Sequence, residues 1–170
     1  MRTLNVSLRR EIYRDDAYKI IEWLEDEEIS QHLNEHQNVC NSIRQVISRV
    51  NMPILTHLFN QGGSFFMVAT GDDNMPIGFI RLVPRESEAE IVIVIGDKSK
   101  WGQGFGTQAI LQALRHGFIE WRVDKIVAKI KHNNKRSHRV FKRIGFKPEK
   151  DLAYGKQYCM TINDYLELAA

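Results

Sequence analysis

Residues 89–106 constrain the fold more than any other segment, because they read as a buried strand, a glycine-rich turn and the start of a helix. Residues 91–95 are an unbroken apolar run of β-branched side chains, typical of a strand covered on both faces. Glycines follow at positions 102, 104 and 106, and apolar residues then recur at helical spacing over residues 110–121. The glycines therefore lie at a helix N-terminus, where unpaired N–H groups and the helix dipole favour a phosphate group.

Two widespread phosphate-binding motifs do not fit these letters. A P-loop carries Lys and then Ser or Thr after its last glycine, whereas this turn is followed by Thr107 and Gln108. The stretch from Gly104 matches G-x-G-x-x-A, but eight residues, 96–103, separate it from the strand end. Lys129 and Lys131 also stand near the place where a dinucleotide fold has its ribose-binding acid. Neither motif explains the turn.

A third motif matches the turn and a second segment downstream. Residues 101–106, WGQGFG, resemble the acyl-CoA-binding motif Q/R-x-x-G-x-G/A of the GNAT N-acetyltransferase superfamily, with Trp101 at the first position. That departure is familiar in the branch resembling the ribosomal-protein N-terminal acetyltransferases, and it removes one side-chain donor. Residues 134–146, NKRSHRVFKRIGF, resemble the family's N-x-x-S/A…G-F element. Specific letters support the resemblance over residues 89–146, and in outline it covers the whole chain.

The resemblance implies acetyl-CoA as cosubstrate and a set of cofactor-binding residues. If the strand splays from its neighbour, its backbone N–H groups would bind the thioester and the pantetheine arm. Arg139 and Lys142 would meet the 3′-phosphate, or else belong to a solvated helix face, and Asn134 and Ser137 would hold the pantetheine or form a helix N-cap pair. The full set is Ile93, Val94, Ile95, Trp101, Gly102, Gln103, Gly104, Phe105, Gly106, Thr107, Asn134, Ser137, Arg139 and Lys142.

Acetyl transfer to an amine requires a neutral amine, a stabilised oxyanion and a proton for the leaving thiolate. The resemblance implies Glu90 as the general base, acting directly or through water; the alternative is a solvated carboxylate at a strand end. The family's common tyrosine falls at Phe141, so Ser137 is the nearest replacement as the acid. Tyr154 and Tyr158 are reserve donors without an assigned place.

Hydrophobic periodicity outlines the elements. We predict a strand over residues 4–8, a helix capped by Asp15 and Asp16, a second helix near Glu27, and a third capped by Ser42 and ended near Pro53. Strands at 64–70, 76–84 and 89–95 read as an antiparallel meander, with one turn at residues 71–74. A strand at 125–130, a helix at 134–144 and two further strands complete the chain.

These elements predict an α/β fold with a central mixed, mostly antiparallel twisted sheet flanked by helices, of the GNAT acyl-CoA-binding type. With 170 residues, 43% of them hydrophobic, the chain suits one domain spanning residues 1–170. No apolar run approaches the roughly 20 residues that span a bilayer, and the N-terminal letters lack a secretory signal. We therefore expect a cytoplasmic protein without a membrane partner.

Cysteines and histidines give no sign of a disulfide framework or a metal site. Cys40 and Cys159 are far apart and without metal-type spacing, so we expect ordinary thiols. His32 and His36 are four residues apart, but no third ligand is evident. Charge is divided, with acidic residues clustered at 22–28 and basic residues at 129–143.

The leading hypothesis is an N-acetyltransferase in which a primary amine attacks acetyl-CoA directly in a ternary complex. The acceptor is a protein N-terminus or a small molecule such as a polyamine, an aminoglycoside or an amino acid. Residues 22–24, Glu-Trp-Leu, resemble the ribosomal-protein and aminoglycoside branches of the superfamily and favour the protein N-terminus. A non-catalytic acyl-CoA-binding regulator and a nucleic-acid-binding protein are the alternatives, and the latter lacks the aromatic residues of single-strand binders. A homodimer is one option for its assembly.

Overall fold

The computed structural model describes residues 4–33, 39–71 and 74–170. These residues form one seven-stranded sheet in the order β1-β2-β3-β4-β5-β7-β6. All neighbouring strands are antiparallel except β4 and β5, which are parallel, so the predicted mixed and mostly antiparallel sheet is confirmed. The strands are β1 (Val6–Arg9), β2 (Ser64–Thr70), β3 (Met75–Arg85), β4 (Glu88–Ile95), β5 (Lys125–Lys131), β6 (Lys147–Asp151) and β7 (Gly155–Thr161).

Helices cover both faces of the sheet. On one face, α1 and α2 pack through Ile20, Trp23 and Ile29 onto Phe79 and Val94. On the other face, α5 to α7 share a core with the alternate residues of the same strands. Within the described ranges no helix is long and apolar enough to cross a membrane. The helices are α1 (Arg14–Glu25), α2 (Glu27–Ser30), α3 (Val39–Arg49), α4 (Thr56–Phe59), α5 (Phe105–Arg115), α6 (Lys135–Ile144) and α7 (Ile162–Ala169).

Two predicted helix starts are wrong. Helix α1 begins at Arg14, and the carboxylate of Asp16 accepts the backbone N–H of Tyr13 at 2.8 Å instead of capping from outside the helix. The same carboxylate accepts two bonds from Arg9, at 2.7 and 2.9 Å, which tie the helix to β1. Ser42 lies inside α3, three residues after Val39, the first residue of the helix that the structure describes. The helix predicted near residue 27 is present, and residues 72 and 73 of the predicted turn lie outside the described residues.

Strands β4 and β5 pair at one end only. Their ladder runs from the pair Glu88 and Lys125 to the pair Glu90 and Val127. Beyond it, β4 continues along β3 to Ile95, while β5 continues along β7. The two strands therefore diverge and leave a gap in the middle of the sheet, which is the splay on which the backbone donors implied by the resemblance depend.

The end of β4 is fixed against α1 by a glycine. The N–H of Gly96 donates to the carbonyl of Ile77 at 2.8 Å, which keeps the chain on β3. A Cβ atom on Gly96 would lie 2.2 Å from ring atoms of Trp23. The indole thus packs directly on the backbone where the chain leaves the strand, and this contact positions α1 and α2 beside the gap.

Replacing Gly96 by Ala should lower the free energy of unfolding by about 1–3 kcal/mol, because the Trp23 ring must move to admit the methyl group. Urea denaturation measures this change. Gly62→Ala is the matched control, since nothing lies within 4 Å of the added carbon, and it should change stability by less than about 0.5 kcal/mol. Equal stabilities of the two variants would contradict the packing argument.

Candidate active site

A cavity of about 310 Å³ opens where β4 and β5 diverge. Its walls are the end of β4, the glycine turn with the first turns of α5, the cavity-facing side of α6, and the end of α2 with the residues after it. Most of the residues predicted to bind the cofactor line it, although they come from three separate segments. They are Ile93, Val94, Ile95, Trp101, Gly102, Gly104, Phe105, Gly106, Thr107, Asn134, Ser137 and Arg139.

The glycine turn presents the N-terminus of α5 to the cavity. Gly102 and Gly104 have φ angles of 74° and 91°, a left-handed conformation that glycine adopts without strain. Gly104 is the N-cap of α5, so the first N–H groups of the helix are directed away from the helix body. A Cβ atom on Gly106 would meet Ile93 and Ile95 side chains at 3.8 Å, an ordinary contact. This surface suits a diphosphate group, and the residues present therefore fit acyl-CoA.

Backbone groups of β4 face the gap at alternate residues. The carbonyl of Ile95 accepts the indole N–H of Trp101 at 2.7 Å, so the polar groups of Ile95 point away from β3. Because these groups alternate along an antiparallel strand, the N–H of Ile93 shares that direction and the N–H of Val94 has the opposite one. Val94 thus lines the cavity with its side chain, whereas Ile93 and Ile95 are the two positions whose amides can donate into the gap.

The ring of Trp101 makes a cation–π contact with an arginine side chain. The guanidinium carbon of Arg136 lies 3.6 Å from the Trp101 ring centroid, and both residues line the cavity. Burial is the main reason why the pKa of Arg136 is lowered, and the nearby Arg139 charge lowers it further, whereas the Glu28 charge raises it. Trp101 was predicted to belong to the site and Arg136 was not, although the helical spacing of 136, 139 and 143 could have indicated a shared face.

The second motif both caps a helix and lines the cavity. Asn134 is the N-cap of α6, and its side-chain oxygen accepts the N–H of Ser137 at 3.3 Å. The capping alternative is therefore confirmed. The cap uses only the side-chain oxygen of Asn134, so the NH₂ group of the same amide can donate to a ligand. Capping and cofactor binding are compatible at this position.

Two of the predicted cofactor residues lie outside the cavity. Lys142 lies on the side of α6 that carries His138, and its ammonium group is 6.0 Å from the ring of Tyr158. Arg143, one residue further on, lines the cavity instead. The side chain of Gln103 donates to the carbonyl of Ser99 and stabilises the loop itself.

Glu90, predicted as the base, also lies outside the cavity lining. Its carboxylate lies 3.3 Å from the ammonium of Lys129 and 3.8 Å from the guanidinium of Arg85, and its side chain is 14% exposed. Alternation along β4 directs it to the same face as Val94, the face covered by α1 and α2. It is neither an isolated carboxylate in apolar surroundings nor a freely solvated one. Lys129 was missed because the pairing of the two strands is not readable from local spacing.

His32 is a cavity residue that the sequence analysis considered only as a metal ligand. Its Nδ1 atom is buried and has no hydrogen-bond partner among the described residues. Burial lowers the pKa of His32, the charges of Arg136 and Lys131 lower it further, and a hydrogen bond with Asn133 opposes them. Burial and these neighbouring charges therefore favour the neutral form of the ring. His36, the other member of the pair, lies outside the described residues.

The candidate proton donors differ in position. Phe141 lines the cavity and contacts Phe146 edge-on, so the position of the family's tyrosine is apolar here. Burial raises the pKa of Tyr158, whose hydroxyl lies 2.8 Å from Nδ1 of His138. Tyr154 is exposed, and neither tyrosine lines the cavity. Ser137 is the hydroxyl residue of the second motif that does.

The described part of the cavity holds no cluster of metal-ligating side chains and no thiol. No group of three metal-ligating side chains occurs among the residues that the structure describes. Cys40 and Cys159 are free thiols outside the cavity lining, and burial raises the pKa of Cys159 to about 11. Neither thiol is therefore placed to act as a nucleophile in the cavity.

Comparison with known proteins gives consistent matches. The family described as "Acetyltransferase (GNAT) domain" matches residues 7–147. An uncharacterized N-acetyltransferase p20 of Bacillus licheniformis is 22% identical over 142 residues, 82% of this chain and 78% of that protein. An N-acetyltransferase 9-like protein of Nematostella vectensis is 38% identical over 58 residues, 34% of this chain and 29% of that protein.

Solved structures share the fold. A spermidine N-acetyltransferase from Vibrio cholerae, in complex with CoA and spermine, superimposes with a TM-score of 0.78 at 20% identity, over 95% of this chain and 98% of that chain. A GNAT-family acetyltransferase from Bacillus anthracis gives a TM-score of 0.74 at 19% identity, over 96% and 98%. At these identities the likeness establishes the fold and not the substrate.

Gly104→Ala should lower stability by about 1–2 kcal/mol, because a side chain is strained at a φ of 91°. Relief of that strain would rotate the first turn of α5, so binding of acetyl-CoA should weaken as well. Urea denaturation and titration calorimetry measure the two effects. Gly106→Ala, with its nearest neighbours at 3.8 Å, is the matched control for stability alone and should unfold at about the same urea concentration as wild type; an equal loss of stability in both variants would refute a conformational role for Gly104.

Proposed function

We propose that this chain, which belongs to the acetyltransferase (GNAT) family, transfers the acetyl group of acetyl-CoA to the α-amine of a peptide or protein N-terminus. Membership of the family gives the acetyl-CoA-dependent N-acetyltransferase reaction. The acceptor is the part that we infer. The observation that carries this inference is the charge balance on the face of the sheet covered by α1 and α2, from which an amine would reach the gap.

The acidic cluster that could attract a polycation is largely engaged in ion pairs. The ammonium group of Lys98 lies 2.8 Å from the Asp26 carboxylate and 2.6 Å from that of Glu28. Arg44 pairs with Glu25. These groups are partly exposed, so the pairs add little stability. They do cancel charge, which leaves the described part of the cluster a weak attractant for a polyamine.

Positive charge also lies beside the gap on the same side. Lys131 donates to the neutral carbonyl of Gln31 at 3.0 Å. Among the described residues, no carboxylate lies within ion-pair distance of its ammonium group, and Asp26 and Glu28 pair with Lys98 instead. A substrate with two or three positive charges would be repelled here. A single amine on a neutral or acidic peptide fits this surface better.

The reaction can be written with the residues in place. The neutral amine attacks the thioester carbonyl, a C–N bond forms, and the N–H groups of Ile93 and Ile95 stabilise the oxyanion. The C–S bond then breaks, and the Ser137 hydroxyl would relay a proton to the thiolate while it takes one from a solvent water, so that the hydroxyl is regenerated in the same step. Glu90 lies outside the cavity, on the face of the sheet that α1 and α2 cover and from which the amine would enter. It would therefore take the amine proton through water.

A polyamine is the second candidate. One observation favours it: the spermidine N-acetyltransferase, bound to CoA and spermine, shares the fold over almost the full length of both chains. Because the reaction needs only a primary amine, the same catalytic groups would serve either acceptor.

Release of free CoA from acetyl-CoA should occur with a peptide that bears a free α-amine, and not with the same peptide blocked at its N-terminus. Spermidine, an aminoglycoside and a free amino acid complete the panel. The first two should give slower release of CoA because they are polycations, and the free amino acid should also be slower than the peptide. Thiol detection of CoA measures the rates. Faster turnover of spermidine than of any peptide would overturn the peptide proposal and support the second candidate.

Glu90→Gln should lower turnover more at neutral than at alkaline pH. The amide cannot accept a proton, whereas at alkaline pH a larger share of the amine is already neutral. Rates measured from pH 6.5 to 9.5, with acetyl-CoA saturating, give the profile. A loss of the same factor at every pH would count against a base role and indicate a structural contribution through Lys129.

A further inference from the structure

We infer that Arg136, held on the ring of Trp101, is the side chain that binds the diphosphate of acyl-CoA in this protein. It would supply the side-chain hydrogen-bond donor that is lost because Trp101, and not Gln or Arg, stands at the first position of the glycine motif. The inference rests on the acetyl-CoA reaction given above and not on the choice of acceptor.

The stack links the two walls of the gap. Trp101 belongs to the loop between β4 and α5, and its indole is anchored by the bond to the Ile95 carbonyl at 2.7 Å. Arg136 belongs to the first turn of α6, on the β5 side, and its guanidinium carbon is 3.6 Å from the ring centroid. A residue from one wall therefore rests on a residue from the other.

Stacking orients the guanidinium for an anion. The ring of Trp101 occupies one flat face of the Arg136 side chain, whereas the N–H donors lie around its edge. A planar fork of this kind matches two phosphate oxygens at once, which a lysine cannot do. Side-chain freedom is already reduced by the stack, so less entropy is lost when an anion binds.

Charge around Arg136 is not balanced by the protein. In the ranges that the structure describes, no carboxylate lies within ion-pair distance of its guanidinium. Glu28 attracts it from further away, but the Glu28 carboxylate is bonded to Lys98 at 2.6 Å. Burial also lowers the pKa of Arg136, since the charge is partly removed from water. A partly desolvated cation of this kind gains most from an incoming anion.

The position agrees with the second source of positive potential. Arg136 lines the same cavity as the glycine turn, where the N-terminus of α5 presents its N–H groups. A diphosphate bound there would receive donors from both helices. Arg139 lies on the same face of α6 and is left to contact the 3′-phosphate, as the sequence analysis proposed.

Titration calorimetry with three donors tests the assignment: acetyl-CoA, its 3′-dephospho form, and acetyl-pantetheine, which has no phosphate. Arg136→Ala should weaken the first two by the same factor, about 10- to 100-fold, and leave the third unchanged. Arg139→Ala should weaken acetyl-CoA only. Lys135→Ala, which removes an exposed cation from the same turn of α6, is the matched control and should leave all three unchanged.

Three results would overturn the inference. They are unchanged acetyl-CoA binding in Arg136→Ala, an equal loss with acetyl-pantetheine, or a loss confined to donors with a 3′-phosphate. Arg136→Lys keeps the charge without the fork, so it should bind with intermediate affinity; if the alanine variant does not fold, wild-type affinity in the lysine variant overturns the inference. No acceptor is present in these titrations, so failure of the peptide proposal would not affect them.

The role of the stack is tested by a double-mutant cycle. If Trp101 acts by holding Arg136, Trp101→Ala should weaken acetyl-CoA binding, and the double variant should be no weaker than Arg136→Ala alone. Additive losses would show that the two residues act independently and would contradict a platform role for Trp101.

Discussion

The parting of β4 and β5 is the constraint on which the rest of the structure depends. Two parallel neighbours need a crossover connection, and here that connection contains α5. The N-terminus of α5 must therefore begin near the end of β4, which is the same end at which the strands diverge. The backbone groups of β4 that have no partner on β5 and the free N–H groups at the start of α5 are thus brought together. Each would lower stability if it were buried without a hydrogen-bond partner. The cofactor cavity is a consequence of topology before any side chain is considered.

Those parts of the fold that depend on local spacing could be predicted from the sequence. The antiparallel meander, the helix that follows its third strand and the glycines at the N-terminus of that helix were all readable, because each rests on residues close in the chain. The starts of α1 and α3 were not. Asp16 is engaged by Arg9 from another strand, and this pairing is not visible to rules that consider only neighbours along the chain.

The site shows the same division. The two motifs identified most of the cavity lining because their letters encode backbone conformation and helix capping. Glu90 could be assigned a role by resemblance, but its pairing with Lys129 follows from how two strands are aligned. Lys142 was placed in the site because the basic run was treated as one surface, whereas the turn of α6 separates it from Arg139. Charge along a sequence does not state which side of a helix bears it.

The short ladder between β4 and β5 also has a structural consequence. The sheet consists of two plates, one formed by β1 to β4 and the other by β5, β7 and β6. They are joined along a seam of three residue pairs. Within each plate the ladders of the central strands run nearly the full length of those strands. Backbone hydrogen bonding is therefore sparsest at the seam, and the separation of β4 from β5 grows with distance from Glu90. A donor molecule held by both plates would supply, across the opening, contacts that the backbone itself does not make there.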